Sequence, residues 1–171
     1  ILNIQPTAAN NVWCITQDRK LYLYDTHLCQ FLKTSNQINE KFKVDFRADN
    51  IYDINGGNTW VTSTNADYLL RTNDTDVLDF ELIHVGQKGL KSGKVYFIYG
   101  DKKHREWILT DKGTTIYGKK FSTNVPYKWI REVGEYVFLA TENGKVIVVD
   151  EKNRATNVPL PEGITHINEL K

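Results

Sequence analysis

One short pattern recurs four times along the chain: an aromatic residue, two residues, a serine or threonine, a polar turn, then a second apolar run. It reads Trp13-Cys-Ile-Thr16 before Leu21 to Asp25, and Trp60-Val-Thr-Ser63 before Tyr68 to Thr72. It returns as Trp107-Ile-Leu-Thr110 before Thr114 to Gly118, and as Phe138-Leu-Ala-Thr141 before Lys145 to Asp150. Trp60 and Trp107 each follow the preceding anchor by 47 residues, and Phe138 follows by 31. Self-similarity at a period of about 40–50 residues belongs to solenoids, arrays and propellers.

What lies between the anchors selects among these. Ahead of each stands a short run of strand composition: Leu2 to Ile4, Ile51 to Ile54, Val95 to Tyr99, and Trp129 to Val133. Behind the hairpins come further apolar runs, such as Cys29 to Leu32, Phe80 to Val85 and Phe121-Ser. β-Branched and aromatic residues dominate these runs. Turn formers divide them, among them Asn55 to Asn58, Asp111-Lys-Gly113 and the hairpin signal Asn143-Gly144. No stripe of apolar residues at helical spacing is sustained anywhere. Even the ambiguous stretch 35–49 alternates Phe42, Val44 and Phe46, which favours strand.

Each repeat therefore reads as a meander of four short strands, a propeller blade. The expected fold is an all-β, β-propeller fragment of about four four-stranded blades plus the inner strand of a fifth. One propeller segment, 1–171, would hold blades at 1–35, 48–86, 93–124 and 127–160, with 164–171 opening a further blade. The short third interval implies a short outer strand in the third blade, whereas Asn73 to Asp76 lengthens a connection in the second. An open arc is expected, with a closed four-bladed ring as the alternative.

The 22 basic and 21 acidic residues are interspersed, so no electrostatic footprint for nucleic acid or a membrane surface appears. No apolar run nears the ~18 residues of a membrane span. The chain opens on Ile1 and has no methionine, which suggests a piece of a longer or processed protein. Cys14 and Cys29 flank a strand, which would set them ~10 Å apart, too far to bond. They are expected to be small buried thiols.

The search for chemistry returns little. The four histidines are scattered, so no metal site is expected. Gly86-Gln-Lys-Gly89 lacks the spacing and setting of a phosphate loop. Asp101, Glu106 and Asp111 fall in or beside turns, where carboxylates cap backbone groups. No catalytic residue and no cofactor is expected. Trp13, Trp60, Trp107 and Phe138 read as structural anchors that fill the wedge between sheets.

The inner strand, the W-x-x-T segment and the L/I-x-x-Y-D run together resemble the two-component regulator propeller repeat. The nearest matches are Trp13 to Thr16 with Leu21 to Asp25, and Trp107 to Gly113. Three positions depart from the pattern. Arg19-Lys20 and Ala66-Asp67 stand where the family usually has a glycine, and Phe138 replaces tryptophan. The resemblance implies the periplasmic sensor region of Bacteroides-type hybrid two-component histidine kinases, part of an inner-membrane protein. It implies an oligosaccharide ligand, a signal relayed by dimer rearrangement to the kinase, and neither catalysis nor membrane contact in this piece. A protein-binding propeller scaffold and a propeller carbohydrate-active enzyme are the alternatives.

In a propeller, ligands meet the face that carries the hairpin turns after the anchors and the blade-to-blade connections. Candidates on the connections are Arg47, Asp49, His84, Gln87, Lys91, Tyr127 and Lys128. Those on the turns are Asp18, Arg19, Asp67, Lys112 and Glu142. Trp129, on an inner strand, is a further candidate for ligand contact.

Overall fold

The computed structural model describes residues 1–7, 10–54, 58–73 and 76–168. It contains four four-stranded antiparallel meanders, each ordered as the chain runs. The first comprises β1 (Asn3–Pro6), β2 (Asn11–Ile15), β3 (Leu21–Asp25) and β4 (Gln30–Thr34). The second holds β5 (Ala48–Ile54), β6 (Asn58–Ser63), β7 (Tyr68–Asn73) and β8 (Asp76–His84). The third is β9 (Val95–Gly100), β10 (Glu106–Thr110), β11 (Gly113–Ile116) and β12 (Ser122–Thr123). The fourth is β13 (Trp129–Val133), β14 (Tyr136–Ala140), β15 (Val146–Val149) and β16 (Ala155–Val158). These are propeller blades, and the two-residue β12 is the short outer strand that the third interval implies.

The repeated serine or threonine has a specific task. At each anchor hairpin its hydroxyl ties the turn together. Thr16 Oγ1 accepts from the Lys20 amide at 3.2 Å, and Thr141 Oγ1 from the Lys145 amide at 3.0 Å. Ser63 Oγ accepts from the Tyr68 amide at 3.0 Å, and Thr110 Oγ1 donates to the Gly113 carbonyl at 3.0 Å. Side chains of this type bond readily to nearby backbone, so the pattern is a turn device. Gly113, at φ 152°, allows the close approach of β12, since a methyl there would collide with the Thr123 carbonyl.

The chain divides into two compact units, Ile1–Val85 and Gly86–Lys171. In the first, Trp13, Ile15, Leu21 and Leu23 of one blade pack with Ile51, Val61, Leu70 and Phe80 of the next. In the second, Trp107, Leu109 and Ile116 pack with Ile130, Leu139 and Ile147. The same face of each leading blade thus meets the same face of the following one. Trp13, Trp60 and Trp107 are fully buried, and truncating such a ring costs ~3–5 kcal/mol. Phe138 is only half-buried.

Three expectations change. Residues 35–42 form a helix, α1 (Ser35–Phe42), where alternation favoured a strand. Thr34 caps it, and Gln37 returns a bond to the Thr34 amide at 2.9 Å, a capping box that outweighs three alternating apolar residues. Lys43 ends it in a left-handed conformation (φ 57°), and Ile38 carries its contact to the core. Cys29 is exposed at a turn (φ 51°) instead of buried, while Cys14 is half-buried, and both thiols are free. Residues 164–168, expected to open a further blade, join no ladder among the described residues. A backbone bond from Ile167 to the Glu142 carbonyl (3.2 Å) ties them to the fourth blade. The glycines of Asn55 to Asn58 and the end of the 164–171 run lie outside the described residues.

Candidate functional site

The anchor turns and the connections form one cleft in each unit. In the first unit, the β2–β3 turn, α1 and the chain entering β5 enclose about 470 Å³. Gln17, Asp18, Arg19, Asn36, Asn39 and Arg47 are among its lining. Arg19 bonds Asp49 at 2.8 Å, and its carbonyl accepts from the Ala48 amide at 2.9 Å, joining the turn to the next blade. The cleft is charged but balanced. Lys20 pairs with Asp18 at 3.5 Å and Arg47 with Asp45 at 3.2 Å. The Thr16 hydroxyl, bonded to Asp18 Oδ1, is the main cause holding the Asp18 carboxyl below the usual range.

Arg19 stands at φ 63° and Ala66 at φ 56°, at the turn position where the fourth blade has Gly144 (φ 83°). A left-handed conformation costs a side-chain-bearing residue roughly 1–2 kcal/mol, so the first blade carries strain in order to place a guanidinium there. The two departures from the repeat pattern keep the glycine's backbone and add a side chain.

The second unit's cleft, about 560 Å³, lies between β9, the chain entering β13 and the β14–β15 turn. Tyr96 supplies an exposed ring, and Val125 and Pro126 add apolar surface. Around them stand Lys128, Glu142, Asn143, Lys145 and His166. Lys128 and Glu142 form an ion pair; their hydrogen bond is the largest cause raising the lysine and lowering the carboxyl from their usual ranges. Asn143 Oδ1 accepts from the Thr141 hydroxyl at 2.5 Å, which leaves the amide NH₂ as a donor for a ligand.

Of the sequence candidates, Asp18, Arg19, Arg47 and Asp49 come together at the first cleft, and Lys128 and Glu142 at the second. Tyr127 does not join them. It is 2% exposed within the core of the second unit, because an aromatic ring between two blades is held by packing, and burial raises its hydroxyl pKa. Trp129 is half-buried on β13, opposite Ala140, and lines neither cleft. The stem of Lys91 runs beside Gly113, and Lys112 is exposed at the β10–β11 turn. Asp67 Oδ2 accepts from Asn65 Nδ2 at 2.7 Å. His84 stacks edge-on against Tyr68, with Nδ1 2.8 Å from the Val85 carbonyl. Gln87 caps a turn through its carbonyl to the Leu90 amide, so Gly86 to Gly89 is a plain loop.

Sequence reasoning missed Tyr96, Asn143, Lys145 and His166. Tyr96 sits inside an unbroken apolar run, where nothing distinguishes an outward ring from a buried one. Asn36 and Asn39 were hidden by the strand reading of α1. Among the described residues no group of histidine, cysteine and carboxylate side chains is arranged to hold a metal ion.

Asp101 proves to be structural. Fully buried, it accepts from the Lys103 and Arg105 amides, from Arg105 Nε at 2.6 Å and from Trp107 Nε1 at 2.8 Å. Arg105 continues to the Asp150 carbonyl (2.7 Å) and Asn153 Oδ1 (3.0 Å), tying the third blade to the fourth.

No protein-family model matches the chain, and no curated protein matches its sequence. Solved structures do share its fold. One is the extracellular domain of the putative hybrid two-component system BT3049 from B. thetaiotaomicron, similar over 98% of this chain at TM-score 0.60 and 16% identity. Dihydro-heme d1 dehydrogenase NirN is similar over 92% (TM-score 0.60, 12% identity), and streptogramin B lyase over 94% (TM-score 0.56, 15% identity). The chain spans 23%, 36% and 55% of those three chains. No helix among the described residues is long and apolar enough to cross a membrane. At these identities the likeness is one of fold: four β-propeller blades of a kind found in the extracellular domain of a putative hybrid two-component system and in two proteins named as enzymes.

Proposed function

We propose that this chain is the ligand-sensing part of a periplasmic β-propeller sensor of a hybrid two-component system, and that it recognises oligosaccharide breakdown products. The observation that carries the reading is the second unit's cleft. An exposed ring, Tyr96, lies beside planar polar groups, Glu142, Asn143 and His166, whose hydrogen bonds suit sugar hydroxyls. The repeat grammar supports it, as does the fold shared with a two-component extracellular domain. The chain binds its ligand and leaves it unchanged. Asp18, Asp45, Asp49 and Glu142, the carboxylates at the two clefts, are each held in an ion pair rather than poised as acid and base. In the parent protein, a dimer rearrangement would relay binding to a histidine kinase.

Calorimetric titration with a panel of neutral oligosaccharides tests this reading. One or more should bind, and Tyr96→Ala should weaken binding on the order of tenfold, about 1.4 kcal/mol. If no sugar binds, or if Tyr96→Ala and Asn143→Ala leave affinity unchanged, the reading fails.

A further inference from the structure

At the opposite ends of the strands, the second unit carries a third cleft of about 530 Å³ between the β11–β12 and β15–β16 turns. Its charged lining is entirely basic: Lys119, Lys120 and Lys152, accompanied by Asn153, Ser122 and the partly buried Phe121, whose ring also packs edge-on against Trp107. Among the described residues, none of these three lysines has a carboxylate partner, whereas Lys103 pairs with Glu135 and Lys128 with Glu142 in the same unit. The nearest acids in sequence are committed or turned elsewhere. Asp150 is bound by Arg154 at 2.7 Å and accepts from the Lys152 backbone amide at 2.9 Å, and neither it nor Glu151 lines the cleft. Three like charges around one concavity raise the local potential and favour an anion there.

The polar floor is built. Asn153 holds a left-handed conformation (φ 61°), and its Oδ1 accepts from Arg105 Nη1 at 3.0 Å. Arg105, 5% exposed, is itself fixed by the fully buried Asp101. That chain of bonds occupies the oxygen of Asn153 and leaves its NH₂ as a donor, so the lysines and this amide are available to one acceptor-rich group, while the Ser122 hydroxyl is shared with Thr115 at 3.4 Å.

We propose that this cleft binds the oxyanion group of an acidic oligosaccharide, a sulfate ester or a uronate carboxylate, with Phe121 against the sugar ring. It rests on the carbohydrate reading above but uses a different set of residues, so the two fail separately. The test is an amide-resolved NMR titration of the 171-residue chain with a sulfated disaccharide, a galacturonate oligomer, inorganic sulfate, inorganic phosphate and a neutral disaccharide. An acidic sugar should shift the amides of 118–122 and 152–153. Its affinity should fall at least tenfold in Lys120→Gln/Lys152→Gln, recover in Lys120→Arg/Lys152→Arg, and weaken steeply with salt. The Gln variant folds if its remaining amide spectrum is unchanged. Shifts by inorganic sulfate or phosphate with none by any acidic sugar would mean an adventitious ion only and overturn the proposal, as would acidic-sugar binding that the Gln variant leaves intact. Shifts confined to Tyr96, Asn143 and His166 with every sugar, acidic ones included, would leave the first reading standing and overturn this one.

Discussion

The turn at Thr16–Lys20 and the turn at Thr141–Lys145 occupy the same place in the first and fourth blades, and they solve it differently. Both close on a threonine hydroxyl, which also donates at 2.5 Å to the side chain two residues on, Asp18 in one and Asn143 in the other. Both need a left-handed residue at the fourth position. The fourth blade uses Gly144 there and puts its cleft chemistry on the flanking Glu142 and Asn143. The first blade keeps the conformation with Arg19 and obtains a side chain that reaches Asp49 and lines a cleft. A conserved backbone shape thus carries variable side chains, and at Arg19 the departure from the repeat adds a charged side chain to a cleft at some cost in stability.

Exchanging the two solutions gives the largest effect. Gly144→Arg should destabilise the chain by ~1–2 kcal/mol, from left-handed strain and from the Thr165 carbonyl 3.3 Å from the new Cβ. Chemical denaturation measures it; an unchanged midpoint would show that the turn tolerates any residue and that Arg19 carries no strain.

Next come the shared hydroxyls. Thr141→Val and Thr16→Val each remove the group that ties the turn, at ~1 kcal/mol. Thr141 should cost more, because it is buried and leaves the Lys145 amide without its partner, whereas water reaches the first-blade turn. Equal losses would indicate that burial does not separate the two turns.

The repeat grammar made most of this fold legible, and the reason is physical. Anchor ring, closing hydroxyl and turn are each fixed by local chemistry, and local chemistry is what a sequence displays. The inner strand β13 was bounded to the residue at Trp129–Val133. Where packing or a competing local signal decides, the reading failed. Tyr127 reads in the sequence as a loop residue, yet two blades close on it, and Tyr96 lies in an apolar run that does not show which rings turn outward. Helix α1 was different. Its Thr34-Ser-Asn-Gln37 capping box is a local signal in the sequence, and it outweighs the alternation of Phe42, Val44 and Phe46 on which the strand reading rests. Lys119, Lys120 and Lys152 could not have been grouped at all, since 31 residues lie between Lys120 and Lys152 in the sequence and only the fold brings them to one cleft.

Arg19→Gly sharpens the comparison with a smaller, opposite sign. Relief of left-handed strain outweighs the greater freedom of the unfolded chain and the lost pair, for a net gain of about 0.5 kcal/mol. Asp49→Asn should cost only a few tenths, because both partners of the pair are well exposed, at 40% and 45%. A loss of stability in Arg19→Gly would show that Arg19 is held by contacts stronger than its ion pair.

The smallest effect is electrostatic, and it separates the two turns by cause. Glu142 is depressed mainly by its hydrogen bond from Lys128, whereas Asp18 is depressed mainly by the Thr16 hydroxyl. A depressed carboxyl stabilises the fold above its unfolded pKa, and that contribution is lost as pH falls through the folded value. Lys128 is raised, so its share is present below its unfolded pKa and lost as pH rises through the folded one. The Lys128–Glu142 pair is therefore intact across the whole neutral range and opens at both extremes. Carboxyl NMR titration should find both acids below the usual carboxylate range. Lys128→Met should return Glu142 toward that range and leave Asp18 in place, while Thr16→Val should do the reverse. A Glu142 midpoint unmoved by Lys128→Met would mean that the pair does not persist in solution, and the second cleft would then carry two independent charges.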